Sequence, residues 1–262
     1  TLFPAPLSLS WSWQSKPPSP LTLAGVGVAL SGWIIGGNVS SPHSRPYMAY
    51  LEVSMGPVNT QTCGGLLVKK DFVLTAAHCS CIAGNITVIL GAHNVHEPEE
   101  TQQRLRVRHI IPHPEFTRDP FTNDLLLLQL EKKVEVTKEV KLLRLPSAHS
   151  TPKAEEKCLV AGWGLTSPNA FMPPSTLHEV QVQVLDEDTC TMFYPGYEHA
   201  SMLCAGRPFQ RGSGDSGGPL VCNGVPQGIV SYGRVDGSPP AIYTRLTKFV
   251  PWIRRQMRLF QQ

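Results

Sequence analysis

The chain has 262 residues, a formal net charge of +3, and 41% hydrophobic against 16% charged residues. Such a length allows one large or two small domains with a substantial core, and the composition excludes an intrinsically disordered protein. Because the charge is mild, we predict no nucleic-acid partner, and any binding of a polyanion must come from local basic patches.

Residues 1–33 differ in composition from the rest of the chain, with three Trp, many Pro and Ser, one basic residue and no acidic one. Leu21–Leu30 fits a short signal-type apolar core after Lys16, and Ala29-x-Ser31 fits a cleavage site. Cleavage there would leave Gly32-Trp33 as a dipeptide pro-segment. The alternative is a wrongly assigned first exon. No stretch of the chain is long enough to predict a membrane span.

After the leader, short runs rich in Val, Ile, Leu and Thr are separated by Gly, Pro and Asn, which predicts an all-β fold. The clearest runs are Ile86–Leu90, Leu105–Ile111, Leu125–Leu130 and Val180–Leu185. There is no internal repeat and no strong domain linker. We expect the chain to cross from one half of the fold to the other near residues 145–157.

One of the nine histidines follows an apolar strand-like run, in the sequence Phe72-Val73-Leu74-Thr75-Ala76-Ala77-His78-Cys79. Imidazole has an unperturbed pKa of about 6.5 and therefore suits a general base near neutral pH. Most histidines lie on the surface or fill the core. We single out His78 because small residues precede it and a disulfide at Cys79 would fix its backbone.

An acidic residue stands at the start of another apolar run, in Asn123-Asp124 followed by Leu125–Leu130. A carboxylate beside such a run is costly to bury unless it is hydrogen-bonded. Asp124 is therefore a candidate to hold an imidazole in one tautomer. The alternative is a solvated acid at a strand end.

The segment Gly214-Asp215-Ser216-Gly217-Gly218-Pro219 places one serine in a backbone almost free of side chains. A hydroxyl nucleophile needs an adjacent base and amide donors for the oxyanion that it creates. The glycines permit the turn and keep the amides accessible. The alternative is a plain Gly/Ser loop, but this sextet is more restrictive than the two-glycine nucleophile elbow of other hydrolases.

The last part of the chain has apolar residues at helical spacing and arginines on other faces, which predicts a terminal amphipathic helix over about 247–260. The apolar positions are Phe249, Trp252, Ile253, Met257 and Phe260, with Gln256 on the same face, and the basic ones are Arg254, Arg255 and Arg258.

Seven cysteines and two sequons, at Asn38 and Asn85, indicate an oxidising, secretory route with N-glycosylation. Six cysteines have many possible pairings, and the sequence alone does not choose among them. Cys79-x-Cys81 with His78 is a weak metal motif because no second Cys/His cluster lies nearby in the sequence, so we predict no metal and no cofactor.

A short acidic run raises the question of calcium binding. We expect the run to be a solvated loop instead. Its residues are Glu97, Glu99 and Glu100.

The blocks Thr75–Cys79, Asp124–Leu128 and Gly214–Pro219 resemble the His, Asp and Ser blocks of the chymotrypsin-like serine proteases, in that family's chain order. Further similar segments are Ile34–Gly37, Cys63–Gly65, Ala161–Gly164, Ser231–Gly233 and Pro251–Ile253. The similarity runs from Ile34 to about Phe260. Within the family, the granule proteases (mast-cell chymases, cathepsin G and granzymes) are resembled most, through Pro42–Leu51, Leu90–Asn94 and Val230–Arg234.

The resemblance implies two six-stranded antiparallel Greek-key barrels followed by a C-terminal α-helix, in one protease domain over 34–262. It also implies three disulfides, which leave Cys81 over. That residue is a free thiol by our interpretation, an intermolecular link or a competitor of Cys79 being the alternatives. The implied pairs are Cys63–Cys79, Cys158–Cys222 and Cys190–Cys204.

The resemblance further implies a secreted endopeptidase in which Ser216 attacks the peptide bond, His78 moves the proton and Asp124 orients His78. The amides of Gly214 and Ser216 would form the oxyanion hole. Cleavage before Ile34 would free an α-amino group that pairs with Asp215 and thereby activates the enzyme.

For the primary specificity pocket, the resemblance places Gln210 at the floor, where tryptic enzymes need an acidic residue. Gly233 and Ala241 would leave the pocket open, which favours Phe, Tyr, Leu or Met in the substrate. Arg211 offers an alternative, because it would favour acidic side chains if it pointed inward. The backbone of Ser231, Tyr232 and Gly233 would pair with the substrate as an added strand.

The partners implied are protein or peptide substrates, serpin-type inhibitors and a heparin-type granule proteoglycan. The alternatives to a chymase-like protease are a granzyme-like protease of other specificity, a catalytically silent polyanion-binding granule protein, and a defective gene product. Heparin binding would use basic residues that otherwise form a solvated face. They are Arg104, Arg106, Arg108, His109, Lys132, Lys133, Lys138, Lys141, Arg144, Arg254, Arg255 and Arg258.

Overall fold

The computed structural model describes residues 34–54, 56, 60–80, 85–167, 169–206, 215–234 and 238–260. The predictions on the leader and on Cys81, Gln210, Arg211 and Gly214 lie outside the described residues.

Strands make up most of the regular secondary structure of the described chain, as the short apolar runs predict. In chain order the strands are β1 (Asn38–Val39), β2 (Met48–Ser54), β3 (Thr60–Lys69), β4 (Phe72–Thr75), β5 (Ile86–Leu90), β6 (Gln103–Pro112), β7 (Thr117–Arg118), β8 (Phe121–Thr122), β9 (Leu126–Leu130), β10 (Lys157–Gly162), β11 (His178–Val184), β12 (Met202–Gly206), β13 (Pro219–Cys222), β14 (Val225–Tyr232) and β15 (Ala241–Arg245).

The first half of the chain forms a closed barrel in the order β2-β3-β4-β9-β6-β5, with every pair antiparallel. Closure removes exposed sheet edges. Its interior is filled by aliphatic side chains such as Leu51, Leu74 and Leu128, which are inaccessible to solvent. All five residues of β9 are buried; four of them are leucines, and the fifth, Gln129, donates its side-chain amide to the Phe260 carbonyl at 2.7 Å.

The second half forms another antiparallel barrel in the order β11-β10-β13-β14-β15-β12, closed by pairing between β11 and β12. The short β1 adds to the outside of β11. The chain passes from one barrel to the other between β9 and β10, over residues 131–156. Two closed six-stranded barrels confirm the predicted fold class.

In the part of the chain that the structure describes, two α-helices accompany the barrels, α1 (Glu187–Phe193) and α2 (Leu246–Leu259). The second confirms the predicted terminal helix, displaced by one residue at each end, and its Phe249 and Ile253 pack into the core of the first barrel. The periodicity analysis did not predict α1. Its signal is Asp186, which caps the helix by accepting a hydrogen bond from the Thr189 amide at 2.8 Å.

The three disulfides link the cysteines that the resemblance pairs: Cys63–Cys79, Cys158–Cys222 and Cys190–Cys204. The first joins β3 to the turn that carries His78, and the second joins the paired strands β10 and β13. Among the described helices, none is long and apolar enough to cross a membrane.

Candidate active site

His78 lies in a single 3-10 turn, Ala77–Ser80, which directly follows β4. The turn is held on two sides. Cys79 is linked to Cys63 by a disulfide, and the Thr75 hydroxyl at the end of β4 donates to the Gly64 carbonyl at 2.8 Å. Because the imidazole is buried on this fixed turn, its position is set by the first barrel.

Asp124 precedes β9 and reaches the imidazole from the neighbouring strand. Its Oδ2 is 2.7 Å from His78 Nδ1, and its Oδ1 accepts the His78 backbone N–H at 2.9 Å. The Ser231 hydroxyl donates to Oδ2 at 2.6 Å, and the Thr244 hydroxyl donates to the Asp124 carbonyl at 2.8 Å. Ser231 and Thr244 belong to the second barrel, so the carboxylate is held from both barrels.

The hydrogen bonds around Asp124 decide its charge state. Burial alone would raise the pKa of this carboxyl, but the charge and hydrogen bonds of His78 and the hydrogen bond from Ser231 together hold it below its ordinary value. An ionised carboxylate on Nδ1 keeps the proton on that nitrogen. His78 Nε2 is then the basic atom, and it has no hydrogen-bond partner within the described residues.

Ser216 lies on a tight turn that packs against the base of the His78 segment. Gly64 N–H donates to the Ser216 carbonyl at 2.8 Å, and the Cys79 sulfur is 3.9 Å from the same oxygen. Gly217 has φ of 80°, and a Cβ there would collide with Thr75 and Gly64, so glycine is required. Gly64 in β3 and Thr75 in β4 therefore contact both the turn that carries Ser216 and the segment that leads to His78.

Ile34 and Asp215, the predicted activation pair, are both buried. Residue 33 precedes Ile34, so the nitrogen of Ile34 is a peptide amide, and it donates to the Leu165 carbonyl at 2.7 Å. Asp215 Oδ2 accepts the Trp163 N–H at 2.9 Å. Burial raises the Asp215 pKa to about 7, partly opposed by this hydrogen bond. In the described chain no cation lies within ion-pair distance of Asp215.

Comparison with known proteins identifies the family. The family model Trypsin matches residues 34–253. The chain is 46% identical to mast cell protease 3 of Ovis aries over 88% of this chain and 92% of the relative, and 45% identical to cathepsin G of Homo sapiens over 89% and 91%. A solved structure of GrC superposes with a TM-score of 0.81 at 46% identity, covering 86% of this chain and all of that one. The chain belongs to the trypsin family of serine endopeptidases.

In this endopeptidase the Ser231 hydroxyl donates its hydrogen bond to Asp124. Only the backbone of Ser231 is therefore available to a substrate. Tyr232 and Gly233 follow it at the end of β14, and Ala241 is buried at the start of β15. The structure brings these four predicted pocket residues together at one end of the second barrel. The predicted partners Gln210 and Gly214 lie outside the described residues.

Sequence reasoning missed an aromatic row beside His78. The Phe121 ring lies 5.7 Å from the imidazole, Tyr232 lies 5.9 Å from Phe121, and Tyr194 lies 5.7 Å from Tyr232, all between ring centroids. Phe116 stacks on Phe121 at 6.3 Å. The available signal was the pair of phenylalanines just before Asp124. A row of rings leading away from the base offers an apolar surface to an extended peptide.

Two of the cation questions raised by the sequence receive structural answers. The nitrogen of His78 and the sulfurs of Cys63 and Cys79 lie within 4.8 Å of one another, but the two sulfurs form a disulfide and therefore supply no thiolate. Glu99 is half-buried and accepts the amides of His93 and Asn94 at 2.8 and 3.1 Å. This corrects the expectation that all three acids of its loop are simply solvated.

The two sequon asparagines, Asn38 and Asn85, are both exposed. Asn38 lies on the edge strand β1, and Asn85 immediately precedes β5. Both positions are therefore open to a glycan.

Proposed function

We propose that the chain is a secreted serine endopeptidase that cuts after bulky apolar residues, with His78, Asp124 and Ser216 as its catalytic groups. The observation that carries this proposal is the His78–Asp124 pair, in which one ionised carboxylate holds both the ring and the backbone of the histidine. His78 Nε2, the ring nitrogen on the other side from Asp124, has no hydrogen-bond partner within the described residues. This supports a catalytic role for the pair over a purely structural one.

In the proposed mechanism, His78 Nε2 takes the proton from Ser216 Oγ as that oxygen attacks the scissile carbonyl carbon. The amides of Gly214 and Ser216 stabilise the oxyanion. Collapse breaks the C–N bond, and the protonated imidazole gives its proton to the leaving amine. Water then attacks the acyl-enzyme with His78 again as the base, which releases the acid and restores the serine.

We propose that activation depends on a pairing of Ile34 with Asp215. Cleavage before Ile34 would convert its buried amide into an ammonium group, which would pair with a carboxyl whose pKa is raised by burial. The pair would ionise Asp215 and order the neighbouring oxyanion amides. A chain that begins at Ile34 and stays equally active after acetylation of its α-amine would contradict this step.

Two features support a preference for bulky apolar residues at the cleaved position. Position 210 is glutamine and not an acid, and Gly233 and Ala241 are small. The aromatic row supports it further, because a substrate lying along Phe121 and Tyr232 must also offer apolar side chains upstream of the cut. Arg211 carries the granzyme-like alternative, a preference for acidic residues.

The experiment is expression of Ile34–Gln262 behind a removable pro-segment, followed by cleavage profiling of a mixed peptide library. We expect cuts after Phe, Tyr, Leu and Met and labelling by a fluorophosphonate probe, both abolished by Ser216→Ala. Cuts after Asp or Glu would favour the granzyme-like alternative. The absence of both cleavage and labelling would favour the silent or defective alternatives.

We further propose secretion to a granule, with glycans at Asn38 and Asn85, serpin-type inhibitors, and a sulfated proteoglycan as a partner. The names of relatives such as mast cell protease 3 and granzyme B of Homo sapiens support the granule assignment. The predicted basic strand face is smaller than the sequence implied. Arg104 pairs with Glu52 and Arg106 with Glu131, while His109 turns towards Gln129 and Phe260.

Heparin-column retention tests the proteoglycan proposal. Elution at a salt concentration no higher than that of a neutral control protein would contradict the proteoglycan proposal. That result would not bear on the peptidase proposal.

A further inference from the structure

We propose that His113 positions the aromatic row at the active site, and that it does so only as a neutral imidazole. This inference rests on the proposed function, in which that row receives apolar side chains upstream of the cut. His113 directly follows β6, and the residues after it carry Phe116 and Phe121 before the chain reaches Asp124. We call residues 113–123 the aromatic loop.

His113 is hydrogen-bonded to both ends of the aromatic loop. Its backbone N–H donates to the Leu125 carbonyl at 2.9 Å, and its own carbonyl accepts the Phe116 N–H at 3.0 Å. Its side-chain Nδ1 accepts the backbone N–H of Glu115 at 3.3 Å. The carbonyl of Glu115 in turn accepts the side-chain amide of Asn123 at 3.0 Å. The imidazole therefore fixes the residue that ties the start of the loop to its end.

The rest of the aromatic loop connects Glu115 to the substrate surface. Phe116 follows Glu115 and stacks on Phe121, with 6.3 Å between the ring centroids and 7° between the ring planes. The strand β7 pairs with β8, which contains Phe121, and the hydroxyls of Thr117 and Thr122 lie 2.7 Å apart. A displacement of the Glu115 backbone would therefore move Phe116 and, through it, Phe121.

The terminal helix α2 packs on the His113 ring. The ring centroids of Phe249 and Trp252 lie 5.1 and 4.9 Å from the centroid of the imidazole. Phe249 is itself buried in the core of the first barrel, so the helix is a fixed support. His113 thus connects α2 to the aromatic loop and holds its Nδ1 acceptor in place.

The hydrogen bond from Glu115 requires an unprotonated Nδ1, because a backbone N–H can only donate. The neutral ring then carries its proton on Nε2. Burial lowers the pKa of His113 below its ordinary value, in agreement with the neutral form. Within the described residues, two charged groups act on the ring. The Glu115 carboxylate opposes the shift, and the Lys248 ammonium on α2, which lies 3.7 Å from Glu198, adds to it.

Protonation of His113 would put an N–H where Glu115 needs an acceptor, and the hydrogen bond would be lost. The pair of His78 and Asp124 would keep its own hydrogen bonds, including the one from Ser231. Acid should therefore weaken the binding of peptides that reach the aromatic row more than the hydrolysis of a small ester that does not. Because the pKa of His113 is lowered, this loss should develop as the pH falls below about 6.5.

The test compares two substrates of the activated enzyme, a peptide with Phe at the cleaved position and apolar residues upstream, and a single-residue Phe ester. Titration of His78 affects kcat/KM for both substrates alike, so the peptide-to-ester ratio isolates the aromatic loop. Between about pH 7.5 and 5 the ratio should fall about fivefold, the loss of one neutral hydrogen bond, and the fall should appear in KM. A ratio that stays constant over this range would overturn the proposal.

Three variants separate the acceptor from the packing. His113→Phe keeps a ring against α2 but lacks the acceptor, so its ratio should be about fivefold below the parental ratio at neutral pH and independent of pH. His113→Asn keeps an acceptor oxygen that does not titrate, and its ratio should stay high throughout. The matched control is His109→Phe, four positions earlier on β6, where the native ring contacts Gln129 and Phe260. Its ratio should titrate like that of the parent.

The variants can contradict the proposal in three ways. A parental ratio in His113→Phe would show that the acceptor is not needed. A ratio that still depends on pH in His113→Asn would place the titrating group elsewhere. Equal losses in His113→Phe and His109→Phe would assign the effect to the packing of α2. Each of these results would overturn the role of His113.

A further measurement does not depend on activity. The ring-nitrogen NMR shifts of His113 in the full-length chain should show a bare Nδ1 at neutral pH and a titration midpoint below about 6.5. A proton on Nδ1, or a midpoint above that value, would overturn the proposal. A parent that hydrolyses neither substrate and escapes the fluorophosphonate probe would remove the proposed function itself. An active parent with a constant ratio would remove only the role of His113.

Discussion

Two fully buried carboxylates, Asp124 and Asp215, show opposite behaviour in the same chain. Asp124 receives hydrogen bonds from His78 and Ser231, and its pKa is lowered despite burial. Asp215 receives one described hydrogen bond, from Trp163, and its pKa is raised to about 7. The difference teaches that burial alone raises the pKa of a carboxyl, and that the charge and hydrogen-bond donors around Asp124 reverse this shift.

The largest effect is expected from Asp124→Asn in the activated enzyme, which tests whether Asp124 orients His78. The amide retains the shape of the carboxyl but offers an N–H to His78 and so favours the wrong tautomer. We expect the turnover number at neutral pH to fall about 10⁴-fold. Steady-state hydrolysis of a peptide with Phe at the cleaved position checks this. A fall of less than tenfold would show that the pair does not orient the base.

The same substitution at the second carboxylate should act in the opposite direction on the stability of the uncut chain. Between about pH 4 and 7 the folded state keeps a proton on Asp215 that the unfolded state releases, so stability decreases as the pH rises. Asp215→Asn removes this penalty and should stabilise the uncut chain at pH 8 by about 4 kcal/mol. Urea unfolding at pH 4 and pH 8 measures the difference.

Asp124→Asn is the matched control for that stability measurement. Its lowered pKa adds stability above the unfolded value, which is lost as the pH falls through the folded value. The asparagine variant should therefore be less stable than the parent at pH 8. If both variants shift in the same direction, the contrast between the two sites is wrong.

A smaller effect is expected from Ser231→Ala, which removes one of the hydrogen bonds to Asp124. Leaving a buried charged acceptor with one donor fewer should lower kcat/KM roughly tenfold. Ser231→Thr, which keeps the hydroxyl, serves as the rescue variant. Equal loss in both variants would point to packing on β14 rather than to the hydrogen bond.

The sequence was sufficient for those parts of the site that depend on local pattern. The apolar runs before His78 and after Asp124 predicted β4 and β9, which pair as neighbours and so bring the two residues together. The pairing of cysteines came from the family resemblance, since spacing alone leaves many choices. The short apolar runs and one helical period predicted strands and a terminal helix, whereas the two six-stranded barrels came from the family resemblance.

What could not be predicted depends on contacts between distant residues. Nothing in the local sequence indicates that the Ser231 hydroxyl points at Asp124, 107 positions away, instead of at the substrate. The turning of Glu99 towards the amides of its own loop is likewise invisible in an acidic run. The Phe121 and Tyr232 contact requires the two barrels to be placed side by side, which only the tertiary structure shows.

The smallest effect is expected when the contact between Phe121 and Tyr232 is removed. Phe121→Ala removes the ring closest to His78 and opens the aromatic row, but it leaves the Asp124 hydrogen bonds intact. We expect kcat/KM for peptides with apolar residues upstream of the cut to fall about fivefold, because apolar contact is lost. A single-residue ester substrate does not reach the row and should be hydrolysed at nearly the parental rate. Equal losses on the two substrates would mean that Phe121 supports His78 itself, and would remove the aromatic row as a substrate surface.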